Sequence, residues 1–164
     1  MSPLPEHEKY KDSLHRFTCA FAEEFGITLE SYGSTTWKRR GLRKGSEPDT
    51  CFYVANAGRV MRKRTIDLEA DPPPDIVVEI DATNESLGKF PIYAALAVPE
   101  IWRYDGMRVQ MYALAEGRYV EIPGSRSLQG LSAKMLTEAL DQTKSVGQTE
   151  SVVAFRQRIR LERG

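Results

Sequence analysis

Asp49 and Glu79 are two carboxylates placed at the ends of segments that have strand character. Mg²⁺ prefers hard oxygen ligands and usually keeps several waters beside one or two protein carboxylates. The two residues could therefore share a divalent cation, provided that their strands are neighbours. Lys89 follows Glu79 through a strand-to-helix turn, where its ammonium could orient or help deprotonate an attacking water and stabilise charge on a scissile phosphate.

Each of these residues also has a purely structural interpretation. Pro48-Asp49 is a common turn dipeptide, Glu79 could be held in a salt bridge, and Lys89 could be a solvated helix residue. The order and the local context of the three residues indicate more than any one of them alone.

The segment around Glu79 is the most informative strand. Its β-branched core runs directly into two acids, and successive side chains of a strand point to opposite faces. Three acids therefore share one face. One face carries Ile76, Val78 and Ile80, and the other carries Asp75, Val77, Glu79 and Asp81.

A helical segment is predicted after Thr83 and Asn84, either of which could cap it, and it extends to Ala97. Pro91 belongs in the first turn of a helix, so the regular helix is expected to begin near Lys89 rather than at Glu85.

The remaining elements surround this strand-to-helix crossover. An amphipathic helix ends at Gly26, and further strands are predicted at 27–32, 35–38 and 50–54. Segments 100–104, 109–114 and 118–122 predict a meander, and 133–140 and 151–161 predict terminal helices. We expect one domain over residues 1–164, with C-terminal helices from about residue 132. Its fold class is α/β or α+β, a central mixed sheet flanked by helices.

Four stretches in this order resemble the Uma-two family of putative restriction endonucleases, a group within the PD-(D/E)XK nuclease superfamily. They are Glu47-Pro48-Asp49, the run 74–81, the pair Lys89 and Tyr93, and the Val-Pro-Glu-Ile-Trp-Arg-Tyr-Asp run at 98–105. The resemblance covers roughly residues 33–119, with the opening helix also in the expected place. The Val-Pro-Glu-aromatic segment after a lysine-containing helix is the more specific part.

The resemblance implies a restriction-endonuclease-like α/β/α core in which two acids bind Mg²⁺ or Mn²⁺ and a lysine completes the site. Matched by motif, Asp49 and Glu79 are the acids and Lys89 is the lysine. Asp81 stands where the superfamily pattern places its lysine, which this family supplies from the following helix. Asp81 is then either a third metal ligand or a helix cap.

The first helix often contributes a further acid to sites of this superfamily, and the candidates here are Glu8, Glu23 and Glu24. His7 and His15 have no partner at nucleophilic or metal-ligand spacing. Tyr93 either flanks the site or packs in the core. Trp102 and Tyr104 are expected to pack the sheet rather than stack on bases.

Overall charge does not indicate nucleic-acid or membrane binding, because 23 basic residues balance 23 acidic ones. Basic residues do cluster at 38–44, 59–64 and 156–163, and each cluster alone is typical of a solvated face. The sequence contains no Gly-rich phosphate loop, no G-x-S-x-G and no dinucleotide fingerprint. Serine hydrolases, nucleoside triphosphatases and dehydrogenases are thereby excluded.

Cys19 and Cys51 lack zinc-ligand spacing and are expected to behave as small buried hydrophobes. No apolar run reaches the roughly 20 residues that span a bilayer, and the first eleven residues are too polar for a secretory signal, so a cytoplasmic protein without membrane partners is expected.

The leading hypothesis is a metal-dependent endonuclease that hydrolyses DNA, with the basic loops at 39–44 and 59–64 contacting the backbone. The alternative is an inactive nuclease-fold module that binds nucleic acid or protein. A homodimer is also expected, because two sites related by a twofold axis cut both strands of a duplex. Its candidate contacts are Val152, Val153, Phe155 and Ile159.

Overall fold

The structure, a computed structural model, describes residues 4–163 and is built on a six-stranded sheet in which the strands lie in chain order. The strands are β1 Glu30–Ser31, β2 Thr50–Tyr53, β3 Ile76–Ile80, β4 Glu100–Tyr104, β5 Val109–Ala115 and β6 Arg118–Ile122. β3 and β4 run parallel, and every other neighbouring pair runs antiparallel. The predicted mixed sheet flanked by helices is thus confirmed.

Helices cover both faces of this sheet. They are α1 Pro5–Glu24, α2 Ala57–Val60, a 3₁₀ helix Glu85–Lys89, α3 Phe90–Ala95 and α4 Ala133–Arg163. α1 and α4 pack on the face that carries Ile76, Val78 and Ile80. α2 and α3 pack on the other face, which carries Val77 and Ile101. β3 is buried along its whole length because it is central and covered on both sides.

α1 forms where the apolar spacing of three and four residues predicts it. Leu14, Phe17 and Phe21 are almost completely buried against the sheet and α4. Gly26, with a φ of 64°, follows the end of the helix in the left-handed region, where glycine carries no steric penalty. Between residues 4 and 163, no helix combines the length and the apolar character needed to cross a membrane.

The parallel pair of β3 and β4 requires a crossover, and residues 81–99 supply it. The crossover starts with a 3₁₀ turn and becomes α-helical only at Phe90, so the regular helix begins next to Lys89, as Pro91 predicts. Lys89 therefore lies at the junction of the two helical segments, in the connection that returns the chain to the sheet.

Several local predictions differ from the structure. Of segments 27–32 and 35–38, only Glu30–Ser31 forms a strand, and Trp37 makes an isolated bridge with Ser46. The predicted terminal helices 133–140 and 151–161 both form but extend further, and they meet within α4 at Gly147, whose φ of 83° and ψ of −179° are not helical. Cys51 is buried as expected, whereas Cys19 is only half-buried.

Candidate metal and phosphate site

A cavity of about 560 Å³ opens where β3 ends. Asp49, Glu79, Asp81 and Lys89 all line it. The first turns of α1 close the other side with Leu4, Glu6, His7 and Tyr10. The four residues proposed for the site from the sequence are thus brought to one cavity by the start of β2, the end of β3 and the 3₁₀ helix.

Asp49 reaches the cavity because β2 pairs with β3. The pair Thr50–Val78 closes the ladder at this end, so Asp49 just precedes it and Glu79 just follows it. The Ile80 N–H donates to Asp49 Oδ2 over 2.7 Å, and the His7 Nε2 atom lies 3.2 Å from Asp49 Oδ1. One oxygen is thus fixed by the backbone of β3, and the other faces the cavity next to an imidazole.

Glu79 is the buried member of the acid pair, with 3% of its surface exposed. Tyr93 donates to its Oε1 atom over 2.5 Å, and Lys89 Nζ donates to both oxygens over 3.1 and 3.2 Å. Burial raises the pKa of Glu79 to about 7, and the nearby charge of Asp49 adds to this effect. The donors Tyr93 and Lys89 oppose the shift because they stabilise the ionised form.

Lys89 bridges the segment that precedes β2 and the end of β3. Its ammonium donates to the Glu47 carbonyl over 2.9 Å as well as to Glu79. About a third of the side chain is exposed, so the ammonium contacts both the acid pair and solvent. This position suits a group that meets a water or a phosphate entering the cavity.

Asp81 uses its carboxylate differently. Its Oδ1 atom accepts bonds from the Thr83 N–H and hydroxyl and from the Glu85 N–H, and its Oδ2 atom accepts bonds from the N–H and hydroxyl of Ser86. Arg103 Nε adds a further contact at 3.4 Å. Although burial alone would raise the pKa of Asp81, these bonds hold it well below its usual range. This arrangement favours the helix-cap alternative over the role of metal ligand.

The first helix contributes residues that the sequence did not indicate. Glu6 and His7 line the cavity, and Glu6 also accepts the hydroxyl of Tyr10 over 2.9 Å. His7 contacts Asp49, so it has a partner at the site that its spacing in the sequence did not indicate. The three acids proposed from the sequence lie in other contacts: Glu8 pairs with Lys11, and Glu23 and Glu24 pair with Arg156.

The sequence contains one weak indication that Glu6 and His7 could approach the site. Both belong to the helix that the apolar spacing predicts, close to its start. Nothing in their spacing relates them to Asp49, which lies 42 positions after His7 in the sequence. Only the packing of α1 against β3 brings them to the cavity.

The donor set of this cavity fits Mg²⁺ or Mn²⁺. Asp49 and Glu79 supply hard carboxylate oxygens from adjacent strands, and Mg²⁺ needs few protein ligands because it retains water. Within the part of the chain that the structure describes, no group of three His, Cys, Asp or Glu side chains is arranged to hold a metal ion. A cation here would accordingly take its other ligands from water and substrate.

The comparisons with known proteins agree with this fold. A solved structure of a putative nuclease belonging to DUF820, from Anabaena variabilis ATCC 29413, is similar with a TM-score of 0.55 and 14% sequence identity. The similarity covers 85% of this chain and 84% of that chain. No curated protein matches the chain significantly. The family model of Uma2, putative restriction endonuclease, matches residues 1–144. The chain therefore belongs to the Uma2 family of putative restriction endonucleases.

Proposed function

We propose that the protein is a divalent-metal-dependent endonuclease that hydrolyses phosphodiester bonds of DNA. The observation that carries this proposal is the meeting of Asp49, Glu79 and Lys89 at one cavity, at the end of a parallel strand pair. Membership of the Uma2 family supports a nuclease in general terms. The identity of the substrate and the need for metal belong to the proposal.

Asp49 and Glu79 are the residues that would hold Mg²⁺ or Mn²⁺. When bound, such a cation polarises a phosphate and lowers the pKa of a bound water. The protein fixes both carboxylates in advance, because the Ile80 N–H holds one and the Tyr93 hydroxyl holds the other. Fixed ligands reduce the reorganisation that would otherwise accompany binding.

Lys89 would act on the water or on the phosphate. Its ammonium contacts Glu79 and the Glu47 carbonyl, at the edge between the buried acid and solvent. A positive charge at this place would stabilise the negative charge that develops on the phosphate during attack. We assign Asp81 to the support of this arrangement, since its oxygens hold the start of the crossover that delivers Lys89.

Cleavage of supercoiled and linear DNA tests the proposal directly. We expect products with Mg²⁺ or Mn²⁺, none with EDTA, and none from Asp49→Asn or Glu79→Gln in either metal. A matched control is Asp141→Asn, an exposed acid on α4 that pairs with Lys144. DNA binding without hydrolysis in both metals would replace this proposal by the inactive, nucleic-acid-binding alternative.

A homodimer is part of the proposal, because two sites related by a twofold axis can cut both strands of a duplex. Of the four residues suggested as its contacts, Phe155 and Ile159 are buried in the chain's own core, and Val152 packs against that core. Val153, which is half-exposed, is the one that a partner could reach without repacking. A monomeric mass in light scattering across micromolar concentrations would remove the dimer from the proposal.

A further inference from the structure

Two basic segments that are separate in the sequence lie on the same part of the surface. Segment 38–44 contains five Lys and Arg residues, and segment 59–64 contains four. Residues 67–71 contact both segments: Arg39 Nε donates to the Leu68 carbonyl over 3.3 Å, and Lys63 Nζ lies 2.9 Å from Asp71 Oδ1. We call the nine Lys and Arg side chains of these two segments the basic face.

The loop that carries the first segment has a fixed base. Trp37 and Ser46 exchange two backbone hydrogen bonds of 2.8 Å, and the Trp37 side chain is buried between the sheet and α2. Gly45 is required at this closure, because a Cβ atom there would lie 2.7 Å from the Trp37 carbonyl oxygen. The two ends of the loop are therefore held together at its base.

The charge of the basic face is largely left for solvent or a ligand. Eight of its nine side chains are exposed, and Arg39 is half-buried. Within residues 4–163, Lys63 is the one member that forms an ion pair. Three acids lie in the intervening segment: Glu69 accepts the Arg40 N–H, Asp71 pairs with Lys63, and Asp67 accepts the Glu69 N–H.

The third basic cluster shows the opposite arrangement. Arg156 pairs with Glu23 and Glu24, and Arg158 pairs with Glu138 and Glu162. These pairs join α4 to α1 or brace α4 itself. The chain thus uses one basic cluster internally and leaves the charges of the other two available.

The first loop of the basic face is joined to the candidate site along the chain. Its first loop leads through Ser46 and Glu47 into Asp49, and the Glu47 carbonyl accepts the Lys89 ammonium. Asp49 lies five positions after Lys44, so the two residues are at most about 18 Å apart when the chain is extended. At 3.4 Å per base pair, this distance corresponds to about five base pairs of a duplex.

We propose that the basic face binds the sugar-phosphate backbone of duplex DNA beside the bond that lies over Asp49 and Glu79. This inference rests on the proposed function and deepens it, because it states where the duplex lies on the protein. Duplex DNA carries a phosphate charge for about every 1.7 Å of its axis, and basic side chains that neutralise phosphates release condensed counterions. The chain has zero net charge, so an exposed local concentration of positive charge is what such a polyanion requires.

Salt-dependent binding of a fluorescently labelled duplex, measured by anisotropy in EDTA, tests the basic face separately from hydrolysis. The double variants Arg43→Ala with Lys44→Ala and Arg62→Ala with Arg64→Ala should each weaken binding. Each should also reduce the slope of log K against log salt by up to about 1.8, which is about 0.9 for each lost phosphate contact. The control is Arg118→Ala with Lys134→Ala, two exposed basic residues away from the basic face. Its slope should match that of the wild type.

A charge-preserving exchange, Arg43→Lys with Lys44→Arg, should keep the wild-type slope, and melting curves should show that every variant is folded. Unchanged slopes in both alanine pairs, equal losses in the control, or no duplex binding by the wild type would each overturn the assignment of the basic face. Hydrolysis is scored separately in Mg²⁺ or Mn²⁺. Binding through the basic face without hydrolysis retains this inference and overturns the proposed function, whereas hydrolysis with unchanged slopes does the reverse.

Discussion

The Tyr93 hydroxyl donates a 2.5 Å hydrogen bond to Glu79 Oε1, and both side chains are buried. Tyr93 stands on α3 and Glu79 on β3, so the bond joins the crossover helix to the central strand. Burial raises the pKa of Tyr93 and the Glu79 charge raises it further, which keeps the hydroxyl protonated as a donor. Tyr93 therefore positions the carboxylate, and it is more than a packing residue.

Tyr93→Phe tests this positioning role. The change removes one donor from a buried carboxylate, so we expect the free energy of unfolding to fall by about 1–3 kcal/mol. It should also move the pKa of Glu79 further upward, because the lost bond favoured the ionised form. Urea denaturation measures the first effect, and the pH dependence of Mg²⁺ affinity measures the second. Tyr112→Phe, whose ring packs against Phe90, is the control. Equal pH profiles for Tyr93→Phe and the wild type would contradict the role.

Glu79 should make the metal-free protein less stable as the pH rises. Its pKa is about 7 in the folded protein against a usual value of 4.5, so between these values the folded state holds a proton that the unfolded state has released. Stability from this group is present below about pH 4.5 and is lost as the pH rises through about 7. The slope is at most about 1.4 kcal/mol per pH unit. Urea titrations in EDTA should show this slope for the wild type and lose it in Glu79→Gln. If stability depends on pH with the same slope in the wild type and in Glu79→Gln, the raised pKa of Glu79 is refuted.

Asp49→Asn should separate a metal ligand from a turn residue. The amide oxygen can still accept the Ile80 N–H, and the negative charge next to Glu79 disappears. We therefore expect the metal-free variant to be as stable as the wild type or more stable. Mg²⁺ at one hundred times its dissociation constant should stabilise the wild type by about 2.7 kcal/mol and the variant by much less. Thermal melting with and without Mg²⁺ measures both effects. If the variant is destabilised and neither protein responds to Mg²⁺ or Mn²⁺, Asp49 is a structural residue.

Lys89→Ala should uncouple metal binding from cleavage. The ammonium acts on water and phosphate, so its loss should abolish hydrolysis while calorimetry still detects most of the Mg²⁺ binding. Because Lys89 favours the ionised form of Glu79, the pH at which metal binds should also move upward. Lys134→Ala, an exposed lysine on α4, serves as the control. Retained cleavage in Lys89→Ala would exclude the lysine from the reaction.

Asp81→Asn should act on stability rather than on the cation. The asparagine amide can replace one accepting oxygen but not both, so several donors at the start of the 3₁₀ helix lose their partner. We expect a loss of about 1–3 kcal/mol in urea denaturation. The Mg²⁺ dissociation constant, measured at a temperature where the variant is folded, should change little. A stable variant that no longer binds Mg²⁺ would restore Asp81 as a ligand.

The local signals in the sequence predicted much of the fold. The meander of β4 to β6 lies where alternation and two turns place it, and Glu116 and Gly117 both adopt the positive φ that a tight hairpin turn needs. Trp102 and Tyr104 pack in the sheet as expected. Segment 27–32 has strand propensity but pairs with β2 only at Glu30 with Tyr53 and at Ser31 with Phe52. Pairing length is a tertiary property that propensity does not contain.

The candidate site, like the fold, could be predicted from the sequence only in part. Asp49, Glu79 and Lys89 could be proposed because each stands at an element boundary within a recognisable order of motifs. The contact between His7 and Asp49 could not, since it depends on how α1 packs against the sheet. The role of Asp81 also needed the structure, because a carboxylate after a strand can face either a cation or the N–H groups of the next turn.

The strict alternation along β3 makes the accuracy of strand pairing a condition for activity. Ile76, Val78 and Ile80 face α1 and α4, whereas Val77 and Glu79 face α3. A slip of β3 by one residue against β4 would reverse every side chain of the strand. Glu79 would enter the apolar layer under α1, and Val78 or Ile80 would take its place beside Tyr93, depending on the direction of the slip. A misaligned molecule would lose core packing and the buried acid in the same event. The fraction of refolded molecules that regain a functional Glu79 therefore measures how faithfully the sheet assembles.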